Sequence, residues 1–96
     1  MGEAFAREVT EAAITANSST ASVVFGLKTC IMMVVQGTWN TATVTLEGSP
    51  DGGTTWIEVA AGITADGFVR SEAKFHLFRA TTSSVGGSTS LTVWLF

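Results

Sequence analysis

Two strand-like runs, 41–47 and 54–60, flank the turn Ser49-Pro50-Asp51-Gly52-Gly53, and this hairpin constrains the fold more than any other stretch of the chain. In 41–47, Ala42, Val44 and Leu46 point one way while Thr41, Thr43, Thr45 and Glu47 point the other. That is the two-residue period of a strand with one buried face. Pro50 fixes φ near the value that the first corner of a tight turn needs. The short Asp51 carboxylate is placed to accept hydrogen bonds from backbone N–H groups just downstream. Gly52 and Gly53 take positive φ at little steric cost. A Gly-rich turn between strand-like runs predicts a β-hairpin. The same loop could present a ligand, because loops carry function when a rigid scaffold holds them.

Beyond the hairpin the chain reads as further short strands. Residues 21–27 alternate, with Ala21, Val23, Phe25 and Leu27 on one face. Residues 29–36 are apolar on both faces, Ile31, Met33 and Val35 on one and Cys30, Met32 and Val34 on the other, the mark of a strand covered on both sides. Residues 68–71 form a short strand and 74–82 a longer one, with Phe75 and Leu77 opposite His76, Phe78 and Ala80. In 89–96 the core set is Leu91, Val93 and Leu95, which puts Trp94 and Phe96 on the outer face. Turn clusters fall at 17–20, 37–40, 62–67 and 83–88. Only residues 1–13 carry helical spacing, in Phe5, Val9 and Ala12 or Ala13, and they read as an N-terminal arm or short helix. The expected fold is all-β: an antiparallel β-sandwich, jelly-roll or Ig-like, of seven to eight short strands over 14–96, preceded by the 1–13 arm.

Composition narrows the function classes. Charged residues are 14% of the chain, against about 25% in an average domain. The polar surface comes instead from 15 Thr and 9 Ser, and Thr suits a half-buried pleated surface. A net charge of −3 and the scattering of Arg7, Lys28, Arg70, Lys74 and Arg79 argue against nucleic acid. Cys30 is the only cysteine, so no intramolecular disulfide forms, and its apolar surroundings read as those of a buried inert thiol. The longest apolar run, 30–35, is far short of the roughly 20 residues of a membrane helix. The first twelve residues carry Glu3, Arg7, Glu8 and Glu11 and lack a signal-peptide pattern, so synthesis as a soluble cytoplasmic protein is expected.

No constellation for chemistry stands out. His76 is the only histidine and has no evident nucleophile or orienting acid. One Cys and one His do not make a zinc site. Asp51, Asp66 and Glu47 would have to converge in the fold to hold calcium. No Gly-rich phosphate loop precedes a helix. The expectation is a non-enzymatic chain with no catalytic residue, cofactor or metal. The aromatic residues are the better candidates. Trp39 lies at a turn, and Trp94 and Phe96 form an outer-face pair that either another layer of the domain or another subunit must cover. With Phe5 of the arm, these are the candidate protein-interface residues.

Ser49-Pro50-Asp51-Gly52-Gly53-Thr54-Thr55-Trp56 fits S-x-D-x-G-x-T-W at every fixed position. The pattern resembles the Asp-box, a hairpin motif of sialidase-type propellers and other β proteins. The resemblance implies a structural role for Ser49, Asp51, Gly53, Thr55 and Trp56, with the Trp packed back beneath the turn and no part in catalysis. A propeller itself is excluded, since each blade needs roughly 40 residues and the chain has 96. In composition and turn style, residues 14–96 are similar to small virion structural proteins of tailed bacteriophages. That likeness implies a capsid decoration, or cement, protein on the outer face of the head. Its implied partners are the major capsid protein and copies of itself, as a trimer or other symmetric homo-oligomer, after synthesis in the host bacterial cytoplasm. Two alternatives stand beside it. One is a carbohydrate-binding module using Trp39 and the loops 62–67 and 83–88; the other is a head–tail or tail component.

Overall fold

Alternation in sequence becomes inward and outward faces in the computed structural model, which describes residues 9–20, 22–24 and 30–96. Among the described residues all regular elements are strands: β1 Val9–Ile14, β2 Ser18–Ser19, β3 Val23–Val24, β4 Ile31–Thr38, β5 Thr43–Ser49, β6 Ile57–Glu58, β7 Gly67–Ser71, β8 Leu77–Ser83 and β9 Ser90–Leu95. They form two antiparallel sheets, ordered β1-β9-β4-β7 and β2-β8-β5-β6, with β3 also paired to β8. Both sheets are built on a long central pair. Six residue pairs join β4 to β9, and seven join β5 to β8.

Strands β2 and β3 lie end to end along β8, facing Thr81 and Thr82 in one case and Leu77 and Phe78 in the other. Thr20 bridges the break. Its N–H donates to the Ala80 carbonyl at 2.9 Å, and its hydroxyl oxygen accepts the Ala80 N–H at 3.1 Å. The two pieces are therefore one interrupted strand. Every connection except the β5–β6 hairpin then crosses from one sheet to the other, which is the double-sheet jelly roll and not the Ig-like arrangement.

The core lies between the sheets. Val44, Leu46, Phe78, Ala80 and Val23 from one side meet Ile31, Met33, Val35, Leu91, Val93 and Leu95 from the other, and all are at most 1% exposed. Thr43 and Thr45 face outward from β5 together with Glu47, so methyl groups shield most of that ladder at low desolvation cost.

Several expectations change. Residues Val9–Ile14 are a strand, paired with β9 from Val9↔Leu95 to Ile14↔Leu91, and not a helix or free arm. The sandwich thus begins at Val9, five residues before the expected boundary. The remainder of that segment, Phe5 included, lies outside the described residues, as do Ala21, Phe25 and Leu27 of the 21–27 run. The 17–20 cluster contains β2 instead of being all turn. Strand β8 starts at Leu77 and not at residue 74. Exposed His76 precedes it and donates its backbone N–H to the Ser49 carbonyl at 3.0 Å. Phe75 packs edge-on against Phe78, with centroids 6.0 Å apart. Strand β4 is fully covered on one face only: Met32 and Val34 stay half-buried, while Ile31, Met33 and Val35 are sealed.

Candidate protein-contact face

Because β9 sends Leu91, Val93 and Leu95 into the core, parity sends Thr92, Trp94 and Phe96 outward. The register then fixes their neighbours. Trp94 lies between Thr10 of β1 and Val34 of β4, and Val34 in turn faces Phe68 of β7. One apolar row, Trp94-Val34-Phe68, so crosses three strands. A second row runs beside it: Phe96 exchanges backbone hydrogen bonds with Met32 at 2.7 and 2.9 Å, and Met32 faces Arg70. Phe68 is 65% exposed and Phe96 45%. A shallow hollow of ≈ 480 Å³ opens here, its lining including Met32, Val34, Gln36, Asp66, Gly67 and Phe68.

Arg70 is the charged member of these two rows. Its guanidinium lies against Cys30, and that contact, with a smaller contribution from Glu72, raises its pKa. The Glu72 carboxylate sits 3.3 Å from the guanidinium. Cys30 is half-buried, not fully buried as its apolar run suggests.

The opposite sheet is largely polar towards solvent, with Ile57 as an exposed apolar residue at its edge. On the outer side of the second sheet, Glu47 accepts from Arg79 Nε at 2.8 Å and from the Thr81 hydroxyl at 2.7 Å. The Thr81 hydroxyl also shares a hydrogen bond with Ser19 at 3.1 Å. Arg79 stacks its guanidinium 4.1 Å from the Trp56 ring centroid.

The Ser49–Trp56 turn sits at the end of this wall. Buried Ser49 accepts the Gly53 N–H at 2.8 Å and donates to Asp51 Oδ1 at 2.9 Å. The same carboxylate oxygen accepts the N–H groups of Thr54 at 3.1 Å and Thr55 at 2.8 Å. These donors, the Thr55 backbone first, lower the Asp51 pKa from 3.8 to about 2. Gly52 and Gly53 take φ of 80° and 108°. Trp56 returns its indole N–H to the Gly53 carbonyl at 3.1 Å. Leu77, buried outside the main core, lies under the turn within reach of Gly53. Ser49, Asp51, Gly53, Thr55 and Trp56 are therefore spent on one another, through a side chain or a backbone group.

Trp39, at the turn after β4, is half-buried against the core. Its indole N–H donates to Asp66 Oδ1 at 2.7 Å, and that oxygen also accepts the Gly37 N–H at 3.0 Å. The contact ties the β4–β5 turn to the loop before β7. Asp51, Asp66 and Glu47 each serve a separate hydrogen-bond cluster. Among the described residues no group of three or more His, Cys, Asp or Glu side chains is placed to hold a metal ion.

No protein-family model matches the chain, and no curated protein matches it. Among solved structures it is similar to the SPBc2 prophage-derived protein YomS, with a TM-score of 0.69 and 11% identity over 92% of this chain and 89% of that one. The likeness is one of fold.

Of the interface candidates, the fold brings Trp94 and Phe96 together on the apolar wall, sets Trp39 apart from them, and leaves Phe5 outside the described residues. Phe68, Met32 and Val34 were missed as members of that wall. The signal for two of them was present: an apolar residue at both parities of 30–35 means one parity faces away from the core. Phe68 carried no such signal, because only the β4–β7 register brings it beside Val34.

Proposed function

We propose that the chain is a non-enzymatic virion structural protein of a tailed bacteriophage, a decoration protein that binds the outer surface of the head and stabilises it. The observation that carries this reading is the apolar outer wall of the β1-β9-β4-β7 sheet. Trp94, Val34, Phe68, Met32 and Phe96 form a contiguous patch of a kind that monomeric proteins keep small and that marks contact with other proteins. Two facts support the phage assignment: the shared fold with a prophage-derived protein, and a jelly-roll topology of the sort used in viral capsid and lectin domains. Fold alone does not assign function, so the reading rests on the patch. Cement action follows from many modest interfaces engaged at once, with binding and no turnover.

The test is co-sedimentation of the purified chain with empty heads of the phage whose genome encodes it. Saturable pelleting, and a rise in the temperature at which the heads rupture, support the proposal. A chain that stays in the supernatant at every concentration rejects it. Saturable binding to glycans, lost in Trp39→Ala, would move the assignment to a carbohydrate-binding module.

A further inference from the structure

We infer that the occupant of the apolar wall is the same wall of a second copy of this chain, the two sheets packing face to face across a two-fold axis. This rests on the reading of that wall as a protein-contact surface, and names the partner.

Three features favour a second copy. The first is area. Four strands about 4.8 Å apart, overlapping along about five residues at 3.3 Å each, give a wall of roughly 19 by 17 Å. That is about 320 Å² in flat projection per wall and about 650 Å² for two, and side-chain relief raises the total towards the roughly 1,000 Å² at which specific interfaces begin. The area is thus enough for a weak, concentration-dependent dimer.

The second is charge. The chain carries a net −3, yet the two apolar rows hold a single charged group, Arg70, whose guanidinium is already matched by Glu72 at 3.3 Å. Two copies therefore meet on this wall without like-charge repulsion. Asp66, the other charged group lining the hollow, already accepts from Trp39 and Gly37, so the wall carries no run of one sign that would favour a strongly basic or acidic partner.

The third is shape. A sheet face with exposed Phe68 and Phe96 standing beside the hollow over Met32 and Val34 carries projection and recess on one surface. An isologous contact needs a patch that complements itself, and aligned sheet-on-sheet packing about 10 Å apart gives such ridges room to interdigitate.

The experiment is light scattering coupled to size-exclusion chromatography on the isolated full chain, from low micromolar to near-millimolar. Twice the chain mass of 10.0 kDa at high concentration is expected. Phe68→Asp, at a position 65% exposed, should weaken the dimer about tenfold or more, with far-UV circular dichroism unchanged. Ile57→Asp, at an exposed apolar site on the other sheet, should leave it intact. A wild type that stays at 10.0 kDa throughout overturns the inference. So does a trimer, because an isologous contact closes at two, and so does a dimer that ignores Phe68→Asp. Head binding is scored separately: heads that still take up a strictly monomeric wild type would refute the self-pairing and leave the decoration reading standing.

Discussion

Arg79 holds Trp56 and Glu47 at once: its guanidinium carbon lies 4.1 Å from the centre of the indole ring while its Nε donates to the carboxylate at 2.8 Å. Arg79 and Glu47 are directly opposed across β8 and β5. The pair thus clamps the turn that follows β5 onto the strand beside it. Replacing Arg79 by Ala removes a cation–π contact and a charge-assisted hydrogen bond in a half-buried setting, and should lower stability by about 1–2 kcal/mol. Arg79→Lys should recover only part, because an ammonium cannot stack flat and donate sideways together. Urea midpoints of the two variants would check the order; a Lys variant as stable as wild type would remove the planar group from the argument.

The Asp51 carboxylate should make the hairpin acid-sensitive. Its folded pKa, about 2, lies below the unfolded value near 3.8. The stabilisation is therefore complete above pH 4 and is lost as pH falls from about 4 towards 2. Thermal melts across that window should show a steeper acid decline in wild type than in Asp51→Asn, which keeps an acceptor oxygen and cannot titrate there. Parallel declines would show that other carboxylates govern acid unfolding.

Gly48 is a packing residue. A methyl group built on it runs into the ring of Phe75, which fills the space above β5. Gly48→Ala should cost about 1–3 kcal/mol through overpacking. A second change, Phe75→Ala, which removes the colliding Cγ and Cδ2, should recover part of the loss, so that the double mutant is more stable than the sum of the single effects allows. Strict additivity in a double-mutant cycle would disprove the clash.

The Trp39–Asp66 hydrogen bond joins residues 27 apart in sequence at 2.7 Å. Trp39→Phe keeps the ring and removes the N–H donor. It should destabilise by about 1 kcal/mol, below the usual value for a bond to a charged acceptor because Asp66 is exposed. Amide hydrogen exchange at Gly37, whose N–H shares the same oxygen, should quicken in this variant. Unchanged exchange there would mean the carboxylate is held by its loop alone.

What could be read in the sequence was what period two records. Thr43–Ser49 and Ser90–Leu95 alternate cleanly because one side of each meets the core and the other meets solvent or a thin apolar wall. The Ser49–Trp56 turn was legible for a different reason: its hydrogen bonds are local, closing within four residues. Ser18–Ser19 was hidden, since an exposed polar strand carries no hydrophobic mark and is held by its partner β8. Val9–Ile14 was misread because an irregularity between Glu11 and Ile14, with Ala13 at φ 56°, breaks its alternation and leaves spacing that mimics a helix. In 74–76 the apolar rhythm continues past the end of the strand, as Phe75 packs over Gly48 instead of joining the ladder. The wall itself could not be assembled from sequence, because Phe68 meets Val34 through pairing between segments more than thirty residues apart.

The two outer walls are chemically opposite, one of Thr, Ser and a Glu–Arg pair and the other of rings and methyls. Such a molecule is a one-sided tile. If a second copy covers the greasy side, what remains towards water is mostly hydroxyls and one matched ion pair, so a third copy finds no second apolar wall to stack on.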